Sequence, residues 1–138
     1  MEQVADARVA AHLQLPAGAP VVVLERLRFV DEEPWVHTVS HLPAALVPGL
    51  VEEDLREQSL YGLLEARYGV RLLHGRRTVE ARSAGARLAA DLGIARGGPV
   101  LTLTSTSWGE EGAPVETFVA HHRADRSRFE VELQRTPG

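Results

Sequence analysis

One segment of this chain occurs twice, and that repetition limits the folds open to it. Residues 9–24 read VAAHLQLPAGAPVVVL, and residues 88–103 read LAADLGIARGGPVLTL, with 7 identities in 16 aligned positions. After one inserted residue, the similarity continues from DEEPW at 31–35 to EEGAPV at 110–115. Because two copies are too few for a solenoid, the pattern predicts a duplicated unit whose two copies share one core.

Each copy has the pattern of a helix, a tight loop and two strands. In the second copy Leu88 and Leu92 share one helical face, with Ser83 as the predicted N-cap and Gly93 as the predicted left-handed C-cap. Short acidic turns that contain Gly or Pro join the strands of each copy, which predicts antiparallel hairpins. The predicted strands span 20–30, 34–42, 70–82, 99–108, 114–123 and 127–135.

The stretch between the copies predicts one more helix, over residues 59–69 (SLYGLLEARYG). Its leucines form one apolar stripe, Ser59 is the predicted N-cap, and Gly69 is the predicted end. No linker or low-complexity segment divides the chain. We therefore predict a single α+β domain over residues 1–138, in which an antiparallel sheet of about six strands is flanked by helices packed on one side.

Composition excludes several classes of protein. The 138 residues include no cysteine, which excludes disulfides, thiolate metal sites and cysteine nucleophiles. The net charge is −4, from 15 Lys and Arg against 19 Asp and Glu, whereas a domain that grips DNA phosphates is usually basic. No apolar run is long enough for a membrane span or a signal peptide. We expect a cytoplasmic domain with no membrane partner and no direct contact with nucleic acid.

The two copies differ sharply near the end of their first strand. There ERLRF at 25–29 aligns with TSTSW at 104–108, so that Arg26 and Arg28 have serine counterparts. Residues two apart on a strand share a face, so both guanidiniums point the same way. They could bind a carboxylate or a phosphate, for which arginine is well suited. Alternatively, they lie on a solvated face or pair with neighbouring acids such as Glu25.

The predicted N-terminus of the central helix offers a second contact for an anion. The hydroxyl of Ser59 and the free backbone N–H groups of the first turn form a natural anion site, and Tyr61 adds another hydroxyl. Together with Arg26 and Arg28, these groups could cradle one phosphate or carboxylate. The alternative is an ordinary N-cap beside a packed tyrosine.

Known catalytic and metal-binding motifs are missing from the sequence. No HExxH, Gly-x-Ser-x-Gly or nucleotide-binding glycine loop is present, so we predict no catalytic residue, no metal and no cofactor. His121 and His122 are adjacent on a predicted strand and therefore point to opposite faces. Glu116 and His122 share a face, where they could line a cavity as hydrogen-bonding groups.

Several segments, in their order and spacing, resemble the UTRA domain, the effector-binding domain of HutC-subfamily, GntR-type bacterial transcription regulators. The resemblance runs from about Val4 to Arg135. It rests on ERLRF (25–29), SHLPAALVPGL (40–50), SLYGLLEARYG (59–69), LGIARGGPV (92–100), PVETF (114–118) and HRADRSRF (122–129).

This resemblance implies a fold similar to chorismate lyase, a homodimer, and a small effector that modulates DNA binding. In the family a separate N-terminal winged helix-turn-helix domain contacts operator DNA. That domain is absent from this chain, which we expect to be either an excised or a stand-alone effector domain.

The resemblance also assigns site residues. In sugar-phosphate-responsive members, an arginine pair on the strand and a Ser-x-Tyr on the helix hold the phosphate, and these positions match Arg26, Arg28, Ser59 and Tyr61. A family glutamate is present as Glu116.

Two positions depart from the family pattern. Thr38 stands where a glutamate is common, and His122 stands near an aromatic position. Because Thr38 lacks a charge that could pair with an amine, we expect a small anionic effector, a sugar phosphate or a carboxylate, and not specifically an amino-sugar phosphate. HRADR at 122–126 is expected to be a structural turn with an ion pair between Asp125 and an arginine. The alternative function is a chorismate lyase-type enzyme acting on a carboxylate-bearing small molecule, with Glu116 as its acid.

Overall fold

A six-stranded antiparallel sheet forms the framework of the molecule, whose computed structural model describes residues 1–55 and 59–135. The strands are β1 (Glu2–Val4), β2 (Pro20–Val30), β3 (Glu33–Pro43), β4 (Leu72–Ser83), β5 (Pro99–Gly109) and β6 (Pro114–Arg123), in the order β1-β2-β3-β6-β5-β4. The helices are α1 (Ala7–Leu13), α2 (Leu60–Tyr68) and α3 (Ala86–Leu92). Two short 3₁₀ turns, Ala44–Leu46 and Leu50–Glu52, follow β3. The predicted α+β class is confirmed.

Each copy of the duplicated unit forms one half of the sheet. The first unit is β1-α1-β2-β3, and the second is β4-α3-β5-β6. The units meet where β3 pairs with β6, and there Val39 lies opposite Val119. Val39 also pairs with Glu25 on β2, while Val119 pairs with Thr104, the counterpart of Glu25 79 positions later. An approximate twofold axis therefore passes through the Val39–Val119 pair.

The ends of the helices match the predictions in part. Gly93 ends α3 in the left-handed region with φ 67°, as predicted, and Gln14 ends α1 in the same conformation with φ 55°. Ser83 is not an N-cap, because it pairs with Pro99 as the last residue of β4. The N-cap of α3 is Gly85, which offers no side-chain hydrogen bond.

The helices lie on both faces of the sheet, so the predicted one-sided arrangement was wrong. Val21 on β2 packs with Leu13 of α1, whereas the next residue, Val22, packs with Leu64 of α2. Successive strand residues point to opposite faces, so α1 and α2 must cover opposite sides. Val100 on β5, the counterpart of Val21, packs with α3. Within residues 1–55 and 59–135, no helix combines the length and apolar character needed to cross a membrane.

The sixth strand is β1 and not the predicted strand at 127–135. In the described chain after β6, residues 124–135 form no strand. Phe129, Val131 and Leu133 are 40%, 77% and 91% exposed. Alternation of apolar and polar residues fits a strand, yet a strand also needs a neighbour with which to exchange backbone hydrogen bonds.

The turn that follows β6 has the predicted ion pair. The guanidinium of Arg123 donates to both carboxylate oxygens of Asp125, with distances of 3.1 and 2.9 Å. Arg123 is 8% exposed, and it also donates to the carbonyl oxygen of Leu92 at the end of α3. The turn therefore fastens the end of β6 to α3, which confirms its structural role.

Candidate functional site

A cavity of about 1000 Å³ lies on the face of the sheet that α2 partly covers. It extends over β2, β3, β6, β5 and β4, and the first turn of α2 forms one wall. Six of the seven residues selected from the sequence line it: Arg26, Arg28, Thr38, Ser59, Tyr61 and His122. The seventh, Glu116, is 1% exposed and contacts Tyr61. One cavity thus brings together residues from both units and from the helix between them.

Arg26 and Arg28 point into this cavity because they share the face of β2 that carries Val22. Arg26 donates from Nη2 to Ser40 Oγ at 3.4 Å, and its buried Nε has no partner among the described residues. Glu25 lies on the other face, where its Oε1 is 2.8 Å from His37 Nε2. Neither arginine forms a salt bridge with a carboxylate of a described residue.

The first turn of α2 holds its polar groups in contacts within the protein. Ser59 is the N-cap, as predicted, and its Oγ accepts a hydrogen bond from the backbone N–H of Gly62 at 3.3 Å. Tyr61 donates from its hydroxyl to Glu116 Oε1 at 2.9 Å. Burial, followed by the negative charge of Glu116, raises the pKa of Tyr61, so Tyr61 remains a hydrogen-bond donor at neutral pH.

Glu116 is a buried carboxylate at the edge of the cavity. Its Oε2 is buried and has no hydrogen-bond partner among the described residues. Burial raises the pKa of Glu116, although the hydrogen bond from Tyr61 and the charges of Arg26 and Arg77 act in the opposite direction. The protonated state is therefore favoured more than in an exposed glutamate.

Replacing Glu116 with glutamine is expected to change how stability depends on pH. An acid whose pKa is raised on folding loses folding stability as pH rises from its ordinary pKa of 4.5 through the raised pKa. Glu116→Gln removes this ionisation. Relative to the wild type, the variant should therefore gain stability in urea unfolding as pH rises above the ordinary glutamate pKa of 4.5. Glu111→Gln, at an exposed turn, is the control, and a pH-independent difference for Glu116→Gln would contradict the expectation.

The two positions that depart from the family pattern also lie in the cavity. Thr38 pairs with Arg26 on β2 and with Ala120 on β6, so it occupies the floor. The ring of His122 meets that of Phe129 edge-on at 5.1 Å. Burial lowers the pKa of His122, and the charges of Arg77 and Arg28 lower it further, which favours a neutral imidazole.

Among the cavity residues that sequence reasoning missed, three could contact a ligand through a charge or an aromatic ring. Arg77 on β4 places its guanidinium carbon 5.6 Å from the centre of the Phe118 ring. Phe118 could have been found, because it lies two residues after Glu116 and shares its face. Phe129 was assigned to a strand, and the place of Arg77 depends on a strand pairing that no local signal specifies.

His37 and His121 lie on the opposite face of the sheet. His37 stacks on His121 with ring centres 6.3 Å apart, and Thr102 Oγ1 lies 2.8 Å from His121 Nδ1. His121 and His122 thus point to opposite faces, as predicted. In the chain as described, no group of three His, Cys, Asp or Glu residues could hold a metal ion.

Known proteins share this architecture and its sequence pattern. The family model of the UTRA domain matches residues 1–128. The HTH-type transcriptional regulator Rv0792c of Mycobacterium tuberculosis is 33% identical over 122 residues, covering 86% of this chain and 45% of the relative. A transcriptional regulator from Streptomyces coelicolor is 34% identical with a TM-score of 0.88, covering 99% of this chain and 90% of that one. The effector domain of PhnF from Mycobacterium smegmatis is 29% identical with a TM-score of 0.91, covering 98% and 83%.

The relatives also define what kind of domain this is. The chain spans about half the length of the curated relatives it matches, 45% and 51% in two of them. They are named as transcriptional regulators and repressors and not as enzymes, which indicates a regulatory domain and not a lyase. Because the UTRA family model covers nearly all of the described chain, the chain belongs to the UTRA domain family.

Proposed function

We propose that this chain is the effector-binding domain of a bacterial transcription regulator of the GntR type and HutC subfamily, and that its effector is a small anionic metabolite. The observation that carries the proposal is the position of Arg26 and Arg28. Both face one cavity, and neither forms a salt bridge with a described carboxylate. Two guanidiniums on one face repel each other unless an anion lies between them, and a sugar phosphate or a carboxylate would meet that need.

The ligand would connect β2 with α2. An anion held by Arg26 and Arg28 would lie near Ser59 and Tyr61, which line the same cavity. Ligand binding would thereby favour one arrangement of strand and helix over others, and an effector acts only through such a difference in affinity. Operator DNA would be contacted by a separate winged helix-turn-helix domain, since this domain carries a net charge of −4.

A thermal-shift panel tests the proposal. Inorganic phosphate, sugar phosphates and small carboxylates are added singly to the wild-type chain. A ligand at about 100 times its Kd should stabilise the fold by about 2.7 kcal/mol, which raises Tm by several degrees. Matched neutral sugars and alcohols are the controls. The proposal is contradicted if no anion in the panel raises Tm more than its neutral control does.

We also expect the protein to be a cytoplasmic homodimer. The dimer is supported by the exposed sheet edge at β4 and by the exposed apolar side chains of Phe129, Val131 and Leu133. A second copy of the chain would cover such surfaces, which isolated monomers rarely leave open. Sedimentation equilibrium should give twice the chain mass of 15.1 kDa. A single-chain mass at every concentration would contradict the dimer.

A further inference from the structure

Arg77 takes the place of an arginine that the second unit lacks. The approximate twofold axis relates Arg26 on β2 to Ser105 on β5, 79 positions later. Arg77 on β4 lies directly opposite Ser105 in the β4–β5 pairing. The second half of the sheet therefore also presents a guanidinium on the face of the cavity, although a different strand supplies it.

The arginines approach the cavity from opposite sides. Arg26 and Arg77 lie on β2 and β4, with β3, β6 and β5 between them. At about 4.8 Å per strand, their Cα atoms are about 19 Å apart in a flat sheet. Both side chains line the same cavity, and the hydrogen-bonded pair of Tyr61 and Glu116 lies within the electrostatic reach of both. Both guanidiniums therefore border the space that a ligand would fill, and they come from strands on opposite sides of it.

Among the residues that the structure describes, the arginines of the cavity outnumber the carboxylates free to pair with them. Arg77 forms no salt bridge with any carboxylate of a described residue, and its guanidinium lies over the ring of Phe118. Among the described carboxylates at the cavity, Glu25 contacts His37 at 2.8 Å, Glu53 is paired with Arg67, and Glu116 is buried with its pKa raised. Arg77 is exposed and therefore solvated without a ligand. An anion at Arg26 and Arg28 alone would leave Arg77 without an anionic partner among the described residues.

A second cavity of about 530 Å³ lies on the far side of Arg77 and Tyr61, which line both cavities. Its other polar lining residues are Glu65, Arg71, His74 and the serine counterparts of Arg26 and Arg28, Ser105 and Ser107. Arg77 thus stands where the two cavities adjoin, with room for a ligand group on either side.

We infer that the effector carries two separated anionic groups, one held by Arg26 and Arg28 and the other by Arg77. The inference rests on the proposed function, because it extends the same cavity. A ligand with one anionic end and an apolar tail should therefore bind less tightly than a ligand with two anionic groups. Leu103, Phe118 and Ala120 would nevertheless accept such a tail. The chemical class is a dicarboxylate, or a phosphate ester with a second acidic group.

Matched diacids and monoacids test this inference by NMR titration or calorimetry. The diacids are glutarate, adipate, pimelate and suberate, and each is compared with the monocarboxylate of equal carbon number. For the best-fitting length, the diacid should bind the wild type about tenfold more tightly than its monoacid. Arg77→Ala should abolish this advantage. Arg76→Ala should keep it, because Arg76 is the adjacent arginine, also exposed, whose side chain points to the other face of β4.

Inorganic phosphate separates a failure of this inference from a failure of the proposed function. Phosphate binding should weaken in Arg26→Ala and stay near the wild-type level in Arg77→Ala. If Arg77→Ala retains the full diacid advantage, or if the wild type shows none at any length, the second anionic subsite is wrong while the first stands. If phosphate binds the wild type, Arg26→Ala and Arg28→Ala equally, the proposed anion site itself is wrong.

Discussion

Replacing Arg26 with alanine is expected to weaken binding of inorganic phosphate or a sugar phosphate by about 1.5–3 kcal/mol, the range for a hydrogen bond to a charged group. Arg26 faces the cavity, and among the described residues its hydrogen bond is a long one, 3.4 Å, to Ser40. Its guanidinium therefore has donors left for a ligand. Arg28→Ala is expected to have a similar effect, because Arg28 lies two residues further along the same face.

Calorimetry measures the loss, and Arg82→Ala is the matched control. Arg82 lies on β4 and donates to Glu80 on the surface, at 3.2 and 3.3 Å from its carboxylate oxygens. Its removal should leave phosphate affinity unchanged. Arg26→Lys should bind phosphate more tightly than Arg26→Ala but less tightly than the wild type, since lysine keeps the charge but cannot form the bidentate contact. Wild-type affinity in both Arg26→Ala and Arg28→Ala would contradict the site.

Stability should separate a binding role of Arg26 from a structural one. The Nε of Arg26 is buried without a partner among the described residues, which costs free energy in the unliganded fold. Truncation to alanine removes that cost. We therefore expect the unfolding free energy of Arg26→Ala, measured without ligand, to stay near the wild-type value while affinity falls.

Replacing Leu64 with alanine is expected to lower the free energy of unfolding by about 2–5 kcal/mol, the range for a large-to-small change in a packed core. Leu64 is 0% exposed and belongs to the cluster that joins α2 to the sheet through Val22 and Leu42. The same helix carries Ser59 and Tyr61 into the cavity, so ligand affinity should fall together with stability.

Urea unfolding measures the effect of Leu64→Ala, with Leu73→Ala as the control. Leu73 is 52% exposed on β4, so its truncation removes far less buried surface. A loss for Leu64→Ala no larger than that for Leu73→Ala would show that α2 is not held by this contact. Other contacts would then have to hold α2 against the sheet beside the cavity.

Local signals predicted most of the framework, because hairpins and helix ends depend on nearby residues. The strand over 114–123 and the end of α3 at Gly93 are as predicted. The choice of edge strands could not be predicted this way. The strand Glu2–Val4 is only three residues long, all three residues are exposed, and its existence depends on pairing with β2. The stronger alternation at 127–135 remains unpaired.

The site was predictable wherever alternation alone decides which way a side chain points. Arg26, Arg28, Glu116 and His122 were selected in this manner, and all four lie in or beside the cavity. Arg77 was not selected, because its position in the cavity depends on the register of β4 against β5 and on the order of the strands between β2 and β4. The hydrogen bond between Tyr61 and Glu116 likewise joins residues 55 positions apart, beyond any local signal.

The pairing of Val39 with Val119 has a consequence for the ancestry of the fold. A single unit of β1-α1-β2-β3 would leave the outer edge of β3 without hydrogen-bond partners. Two free units could satisfy that edge by pairing with each other about a twofold axis, with Val39 facing its own copy. The seam between β3 and β6 thus has the geometry of an isologous contact that has become internal to one chain. Once the halves are covalently joined, their surfaces can diverge independently, which allows arginines on β2 and serines at the matching places on β5.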